Sequence, residues 1–379
     1  MPTIYEEEHQ LFRDSFRSWV TNEVAPRIEE FEQAGIMDRQ VYLEAGKHGF
    51  LGIAVDERYG GGGTKDFRFN AVMGEEIAYA GLGGGGNGIG LHNDITTPYF
   101  IEYCNDEQGE RWLPGIVSGE LITAIAMTEP GTGSDLASIS TTAVRDGDEW
   151  VVNGAKTFIT NGINSDLVIV VCRTHPDGGS SGMSLLVVER GMPGFERGRN
   201  LDKIGQHSAD TAELFFDEVR VPHANLLGEE GKGFQYLGFN LAQERLSIGV
   251  TGLAAAEAAL GWTVDYVKER TAFGQPIAGF QNTKFKLAEI STEVEVTRPF
   301  IEQCIMQLND GELSPAQAAR AKLWGSELQN RVIDECLQLF GGYGYMWEYP
   351  IARLYADARI NRIYAGSSEV MKLIISRHL

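Results

Sequence analysis

The chain has 379 residues, 43% hydrophobic and 22% charged, a composition that excludes a disordered polymer and supplies enough apolar mass for two or three domains. Acidic residues outnumber basic ones by 53 to 32, a net charge of −21. Phosphate backbones and anionic membrane surfaces are repelled by such a chain, which excludes nucleic acid as the expected partner; a solvated surface or a basic protein partner fits.

The N-terminal MPTIYEEEHQLF lacks the basic start and apolar run of a secretory signal, and no stretch reads as a membrane span. A cytoplasmic protein is therefore expected, with a processed organellar form as the alternative. Residues 1–118 read as a helical domain. Its opening stretch repeats apolar residues at Leu11–Phe12, Phe16, Trp19–Val20 and Val24, a helical period. A second helix covers about 67–80, and glycine-rich loops are expected at Gly60–Gly63 and Gly83–Gly86. From 119 to 228 the texture changes to short runs rich in Val, Ile and Thr, punctuated by Gly, Asp, Asn and Pro, which reads as an all-β module. Helical texture returns over 229–379, with helices near 233–270, 276–309, 315–340, 350–358 and 366–377. Ser314 and Pro315 are placed to cap and open one of them. Cys104, Cys172, Cys304 and Cys336 are too widely spaced for a zinc ribbon or a CxxC motif, so no metal site is expected and a reducing compartment fits.

Several motifs carry chemistry, each beside a plainer reading. Gly81, Gly83 and Gly86 fit GxGxxG, but a helix rather than a strand precedes them, so a dinucleotide fold is rejected. GKGF at 231–234 lacks the other positions of a P-loop. MTEPGTGSD, Met127 to Asp135, is a turn after a strand whose clustered N–H groups suit a phosphate or a flavin edge; a tight β-turn explains it equally. FITNG, Phe158 to Gly162, sets a ring and a hydroxyl two residues apart on one strand face, or simply ends a strand in an Asn-Gly turn. RTAFGQ begins with Arg270 at a helix end, where a cation also suits the dipole. Gly341–Gly342 permits close approach of a ligand, or is a helix C-cap. His92 reads as a buried structural histidine, with a place in a ligand pocket as the alternative.

MTEPGTGSD, FITNG, RTAFGQ, QLFGGYGY and YAGSSE, in this order and spread over nearly the whole chain, resemble the acyl-CoA dehydrogenase family. AQERL and GGYGYMWEYPIARLYADAR are most similar to its long-chain members. The resemblance implies an N-terminal helical bundle, a central β-barrel and a C-terminal four-helix bundle. It implies FAD, usually in a dimer of dimers, with Met127, Thr128, Phe158 and Thr160 beside the flavin. Ser134 would reach the FAD phosphate and border the CoA chain. Arg270, Phe273, Gln281, Gln338 and Gly342 would hold the FAD of the neighbouring subunit, and Ser367 and Glu369 would complete the dinucleotide site. Arg245, Ala365 and Gly366 are implied at the substrate.

Much of that family carries a catalytic glutamate where this chain has Ala365. Long-chain and isovaleryl types supply the base from an earlier helix, and the matching position here is Glu244. A carboxylate is needed because a thioester makes its α-proton only weakly acidic. The backbone N–H of residue 365, implied as an oxyanion donor, survives the change to alanine. The expected reaction is α,β-dehydrogenation of a medium-to-long or branched acyl-CoA to a trans-2-enoyl-CoA, with electrons passed to an electron-transfer flavoprotein. Two alternatives stand beside it: a flavin monooxygenase on the same scaffold, and a non-catalytic subunit of a mixed oligomer.

Overall fold

The computed structural model describes residues 3–379, residues 84 and 85 by their backbone alone. Seven helices open the chain: α1 (Glu7–Trp19), α2 (Ile28–Ala34), α3 (Arg39–Lys47), α4 (Arg68–Tyr79), α5 (Gly83–Gly90), α6 (Thr97–Tyr103) and α7 (Asp106–Ser118). The apolar stripe read from the sequence is real from Phe12 on: Phe16, Trp19, Val20 and Val24 are buried in one core with Phe31, Val41 and Phe50, whereas Leu11 is exposed. Two buried carboxylates of α4 tie α1 in place, with Arg13 donating to Glu75 (2.6 Å) and Glu76 (2.7 Å).

The glycine-rich segment after α4 is a correction to the sequence reading. It is not a loop but α5, continued by a π-helical stretch at Leu91–Thr96. Three of its glycines serve contact rather than flexibility. A Cβ on Gly86 would meet Ile77 at 2.0 Å, one on Gly83 would meet Asp357 at 2.2 Å, and one on Gly88 would meet the Tyr42 hydroxyl at 2.4 Å. Helical glycine costs about 1 kcal/mol each relative to alanine, and close packing offsets it.

The middle of the chain folds as β1 (Thr123–Ala126), β2 (Thr142–Asp146), β3 (Glu149–Thr160), β4 (Leu167–Arg173), β5 (Met183–Glu189), β6 (Phe195–Asn200), β7 (Thr211–Pro222) and β8 (Leu226–Leu227). They form one eight-stranded sheet, β6-β7-β3-β2-β4-β5-β8, with β1 parallel to β4. The sheet curls round a common interior built from Ala124, Trp150, Val170, Leu186, Phe195 and Leu214. Its outer face packs on α6 and α7 through Phe100, Trp112 and Ile116. Edge strands β6 and β8 are not paired with each other among the described residues, so the barrel is an open one.

The C-terminal bundle consists of α8 (Gly233–Glu269), α9 (Gln281–Asn309), α10 (Pro315–Phe340) and α12 (Ser368–Ser376), with α11 (Pro350–Ala358) leading into the last. Ser314 caps α10 as expected, its Oγ accepting from the Gln317 N–H at 3.1 Å. The helix expected from 276 starts only at Gln281. Before it, β9 (Thr271–Ala272) and β10 (Gln275–Pro276) form a hairpin, turned by Phe273 (φ 51°) and Gly274 (φ 80°). Both turn residues have positive φ, the condition for a tight two-residue hairpin loop.

Helix α8 also corrects the expectation of no span-like stretch: it is long and apolar enough to cross a membrane by length and composition, yet most of its apolar window is buried. It is the central helix of the bundle, packed by α4, α9 and α10. Glycine lets it approach α10 closely, since a Cβ on Gly249 would meet the Ala321 carbonyl oxygen at 3.0 Å and one on Gly252 that of Gly325 at 2.9 Å.

Candidate active site

A cavity of about 350 Å³ opens where the three domains meet, within the size range of small-molecule sites. One wall comes from α8, whose residues Leu241, Glu244, Ile248, Thr251 and Ala255 recur at helical spacing along it. The sheet contributes Met127, Thr128, Ser134, Phe158 and Thr160. Arg245, Ala365 and Gly366 face the same space, so positions 244 and 365, far apart in sequence, do converge.

Glu244 is buried, and Tyr99 donates its hydroxyl to Oε1 at 2.9 Å. Burial pushes the carboxyl up to about 7, against the opposing pull of the Tyr99 hydrogen bond and the Arg245 charge. A carboxyl so placed is a far stronger proton acceptor at neutral pH than a surface glutamate. Arg245 is also buried, and its Nε donates to the Ala365 carbonyl at 3.5 Å. Ala365 (φ 51°) and Gly366 (φ 97°) form a left-handed turn before α12. Among the described residues no group accepts from the Ala365 N–H, which leaves a donor at the cavity wall.

The Met127–Asp135 turn is fixed from beneath by buried Glu129. Its carboxylate accepts from Lys156 (2.9 Å), from the Ser140 N–H and hydroxyl (2.6 Å each) and from the Thr141 N–H (2.9 Å). Burial raises this carboxyl, but the Ser140 and Thr141 hydrogen bonds and Lys156 outweigh it and hold the group down at about 2. Lys156 also donates to the Met127 carbonyl at 3.0 Å, coupling the turn to β3. Phe158 and Thr160 both reach the cavity, through a bulge rather than a regular strand. The register slips between Lys156 and Ile159, and Phe158 takes a left-handed φ of 60°. That backbone conformation is costly for a non-glycine residue and concentrates at ligand sites. The Phe158 side chain is left 68% exposed in a cavity wall, a flat apolar surface that a flat ring would cover.

His92 is structural. It is fully buried with Nε2 on the Ile116 carbonyl (3.0 Å) and Nδ1 on the Thr123 hydroxyl (2.9 Å). Burial brings it down to about 4, which keeps the ring neutral.

The remaining implied residues do not join the cavity in one chain. Arg270 caps the end of α8, stacked 5.3 Å over Tyr343, and Phe273 is 96% exposed at the hairpin tip. Gln281 opens α9, Gln338 lies in the last turn of α10 and Gly342 follows it, all exposed. Ser367 is the N-cap of α12, accepting from the Val370 N–H at 3.4 Å, and Glu369 is exposed in its first turn. Sequence reasoning missed Tyr99, the Glu129–Lys156 pair, Asp94 and Lys322. Asp94 lines the cavity, accepts from Asn70 and Ser247 (2.7 Å each), and burial raises it to about 6. All these partnerships link distant segments, so no local pattern announces them.

Three family profiles match the chain: acyl-CoA dehydrogenase N-terminal domain over residues 6–120, middle domain over 124–219 and C-terminal domain over 231–379. The long-chain specific acyl-CoA dehydrogenase, mitochondrial, of Sus scrofa is 48% identical over 378 residues, covering 99% of this chain and 87% of that protein. The crystal structure of acyl-CoA dehydrogenase from Geobacillus kaustophilus superposes with a TM-score of 0.96 at 50% identity, covering 100% of this chain and 99% of that one. An acyl-CoA dehydrogenase complexed with FAD from Bacillus anthracis gives a TM-score of 0.92 at 31% identity, covering 99% of this chain and 68% of that one. With the ordered motifs, three domains and a shared cavity all in agreement, the chain belongs to the acyl-CoA dehydrogenase family.

Proposed function

We propose that the protein is an FAD-dependent acyl-CoA dehydrogenase. It converts a medium-to-long or branched acyl-CoA to the trans-2-enoyl-CoA and passes electrons to an electron-transfer flavoprotein. The observation that carries the reading is the convergence of Glu244, the free Ala365 N–H and the exposed Phe158 ring on one cavity. The residues fit the cofactor: Met127, Thr128, Phe158 and Thr160 would hold the flavin ring, and Ser134 a phosphate. When bound, FAD supplies the two-electron acceptor for the β-hydrogen.

The chain's own residues carry the acid–base half. Tyr99 occupies Oε1 of Glu244, which leaves Oε2 to take the α-proton. A vacant carboxylate position at 365 is therefore no loss. The Ala365 N–H donates to the thioester carbonyl oxygen as negative charge develops there. Buried Arg245 holds the Ala365 carbonyl, which lies in the next peptide, and so restricts rotation of the left-handed residue that carries the donor. The apolar stripe of α8 and the tightly packed α5 exclude water from the acyl chain. Arg270, Phe273, Gln281, Gln338 and Gly342 form the complementary part of a neighbouring subunit's FAD site. Ser367 and Glu369 complete the dinucleotide site, and a homo-oligomer, a dimer of dimers, is the functional form.

The test is anaerobic. Saturated acyl-CoAs of increasing and branched chain are mixed with the yellow protein while flavin absorbance is followed. Bleaching by one group of chains is expected and names the substrate class. A yellow protein that no acyl-CoA bleaches overturns the proposal and favours the monooxygenase; a colourless one favours the non-catalytic subunit.

A further inference from the structure

Two lysines are fully buried among the described residues, and they are treated differently. Lys156 is neutralised by Glu129 at 2.9 Å. Lys322, on α10, has no carboxylate within ion-pair distance among the described residues; its Nζ donates to the carbonyl of Gly366 at 2.8 Å. The nearest acid on its own helix, Glu327, is engaged by Arg362 and Ser368. Burial and the Arg245 charge pull the Lys322 ammonium down to about 8. Glu327 and Glu369 offset this only in part, and an ammonium with no carboxylate in contact is costly to bury.

Its location gives it a task. Lys322 follows Ala321, the residue against which Gly249 of α8 packs, so the tight crossing of the two helices carries it to the back of the Ala365–Gly366 turn. Both carbonyls of that turn are then held by buried cations: Ala365 by Arg245 at 3.5 Å and Gly366 by Lys322 at 2.8 Å. Both residues have positive φ, and a left-handed alanine is strained. Such a turn persists only where its surroundings hold it. Two cations gripping successive carbonyls fix the peptide planes on either side of Gly366 and leave the Ala365 N–H as the uncommitted donor.

We propose that Lys322 is a positioning residue for the oxyanion site: by holding the Gly366 carbonyl it keeps the Ala365 N–H directed at the thioester oxygen. This rests on the dehydrogenase reading above. Lys322 touches neither substrate nor base, so its effect passes through the turn. A displaced donor weakens in the transition state more than in the ground state.

The test uses the FAD-loaded protein and an aryl-conjugated enoyl-CoA, whose absorbance moves to the red when its carbonyl is polarised. Wild type and Glu244→Gln, which lacks only the base, are expected to give the full red shift. Lys322→Met is expected to lose most of it and to lower kcat about tenfold or more, with KM changed little. Lys322→Gln keeps a polar donor without the charge, and gives the same reading should the methionine variant not fold. Lys322→Arg restores a cation and is expected to recover part of both signals. A full red shift in either folded neutral variant overturns the proposal, and so does lost turnover with the red shift intact. Failure of the wild type itself to bleach or to shift the probe would instead overturn the dehydrogenase reading.

Discussion

The cavity and the ribbon after α8 are built by opposite means. In the cavity, groups from α8, β3 and the turn before α12 converge within one chain, and Glu244 and Arg245 are buried and bonded, to Tyr99 of α6 and to the Ala365 carbonyl. On the β9–β10 ribbon and the helix ends that follow and precede it, Phe273 at the hairpin tip, Arg270, Gln281, Gln338 and Gly342 lie open, with Phe273 almost wholly exposed. A proton-transfer site needs low dielectric and fixed geometry, which one folded core supplies. The residues that the resemblance assigns to the far end of the dinucleotide lie on a surface instead. On the proposed reading, the contrast is between acid–base chemistry built within one chain and a cofactor held in part by a second.

The sharpest way to break that contrast is Glu244→Gln. Turnover is expected to fall by a factor on the order of 10² to 10⁴, with FAD still bound and the protein still yellow. Stopped-flow bleaching with acyl-CoA measures it. Near-normal turnover would remove the cavity's claim to the chemistry. Second in size is Lys156→Met, which leaves Glu129 buried without its cation. A loss of about 3 kcal/mol is expected in denaturant unfolding, with the Met127–Asp135 turn loosened and FAD retained less well. Unchanged stability would mean that the Ser140 and Thr141 donors satisfy Glu129 alone.

The ribbon predicts the reverse pattern. Arg270→Gln is expected to weaken FAD binding about tenfold, roughly 1.4 kcal/mol, while unfolding of the FAD-free chain is unchanged because the residue is exposed. FAD titration of the apoprotein, followed by flavin fluorescence, measures it. Full retention of FAD would show that the ribbon does not hold the cofactor.

Much of this was legible beforehand, for identifiable reasons. The order of helical, β and helical domains follows from periodicities of 3.6 and 2 that any core imposes locally. Glu244 was legible only through resemblance and the alanine at 365; on its own, a glutamate beside an arginine reads as surface. The glycine run at 83–90 misled because composition cannot separate glycine kept for flexibility from glycine kept for contact. Only the positions of Ile77, Tyr42 and Asp357 decide that. The hairpin at 271–276 hid because Phe273 in a positive-φ turn breaks the usual turn chemistry. Lys322, Tyr99 and Asp94 were invisible for one reason: each acts across a helix crossing, and side-chain partners separated by tens of residues leave no mark on local pattern.

The smallest expected effect separates the two regions by stability rather than rate. Folding raises the Glu244 carboxyl from about 4.5 to about 7. Between those values the folded chain keeps a proton that the unfolded chain has released, so stability falls as pH rises through this window and the full cost is present above it. That cost is at most ~3 kcal/mol. Glutamine cannot ionise, so Glu244→Gln removes it, less the weakened Tyr99 hydrogen bond of about 2 kcal/mol, for a net gain of about 1 kcal/mol at about pH 8 that vanishes near about pH 6 and reverses below it. Glu369 is the control. It is exposed at the start of α12, and its first-turn N–H and Ser367 hold it below the usual carboxylate range. Its stabilisation is present above the unfolded value and lost as pH falls through the folded one, so Glu369→Gln should slightly destabilise at neutral pH. Denaturant unfolding of both variants across this pH range measures the signs. Opposite signs mean that the cavity holds its base at the expense of stability while the surface does not; the same sign for both would mean that burial does not set the Glu244 carboxyl.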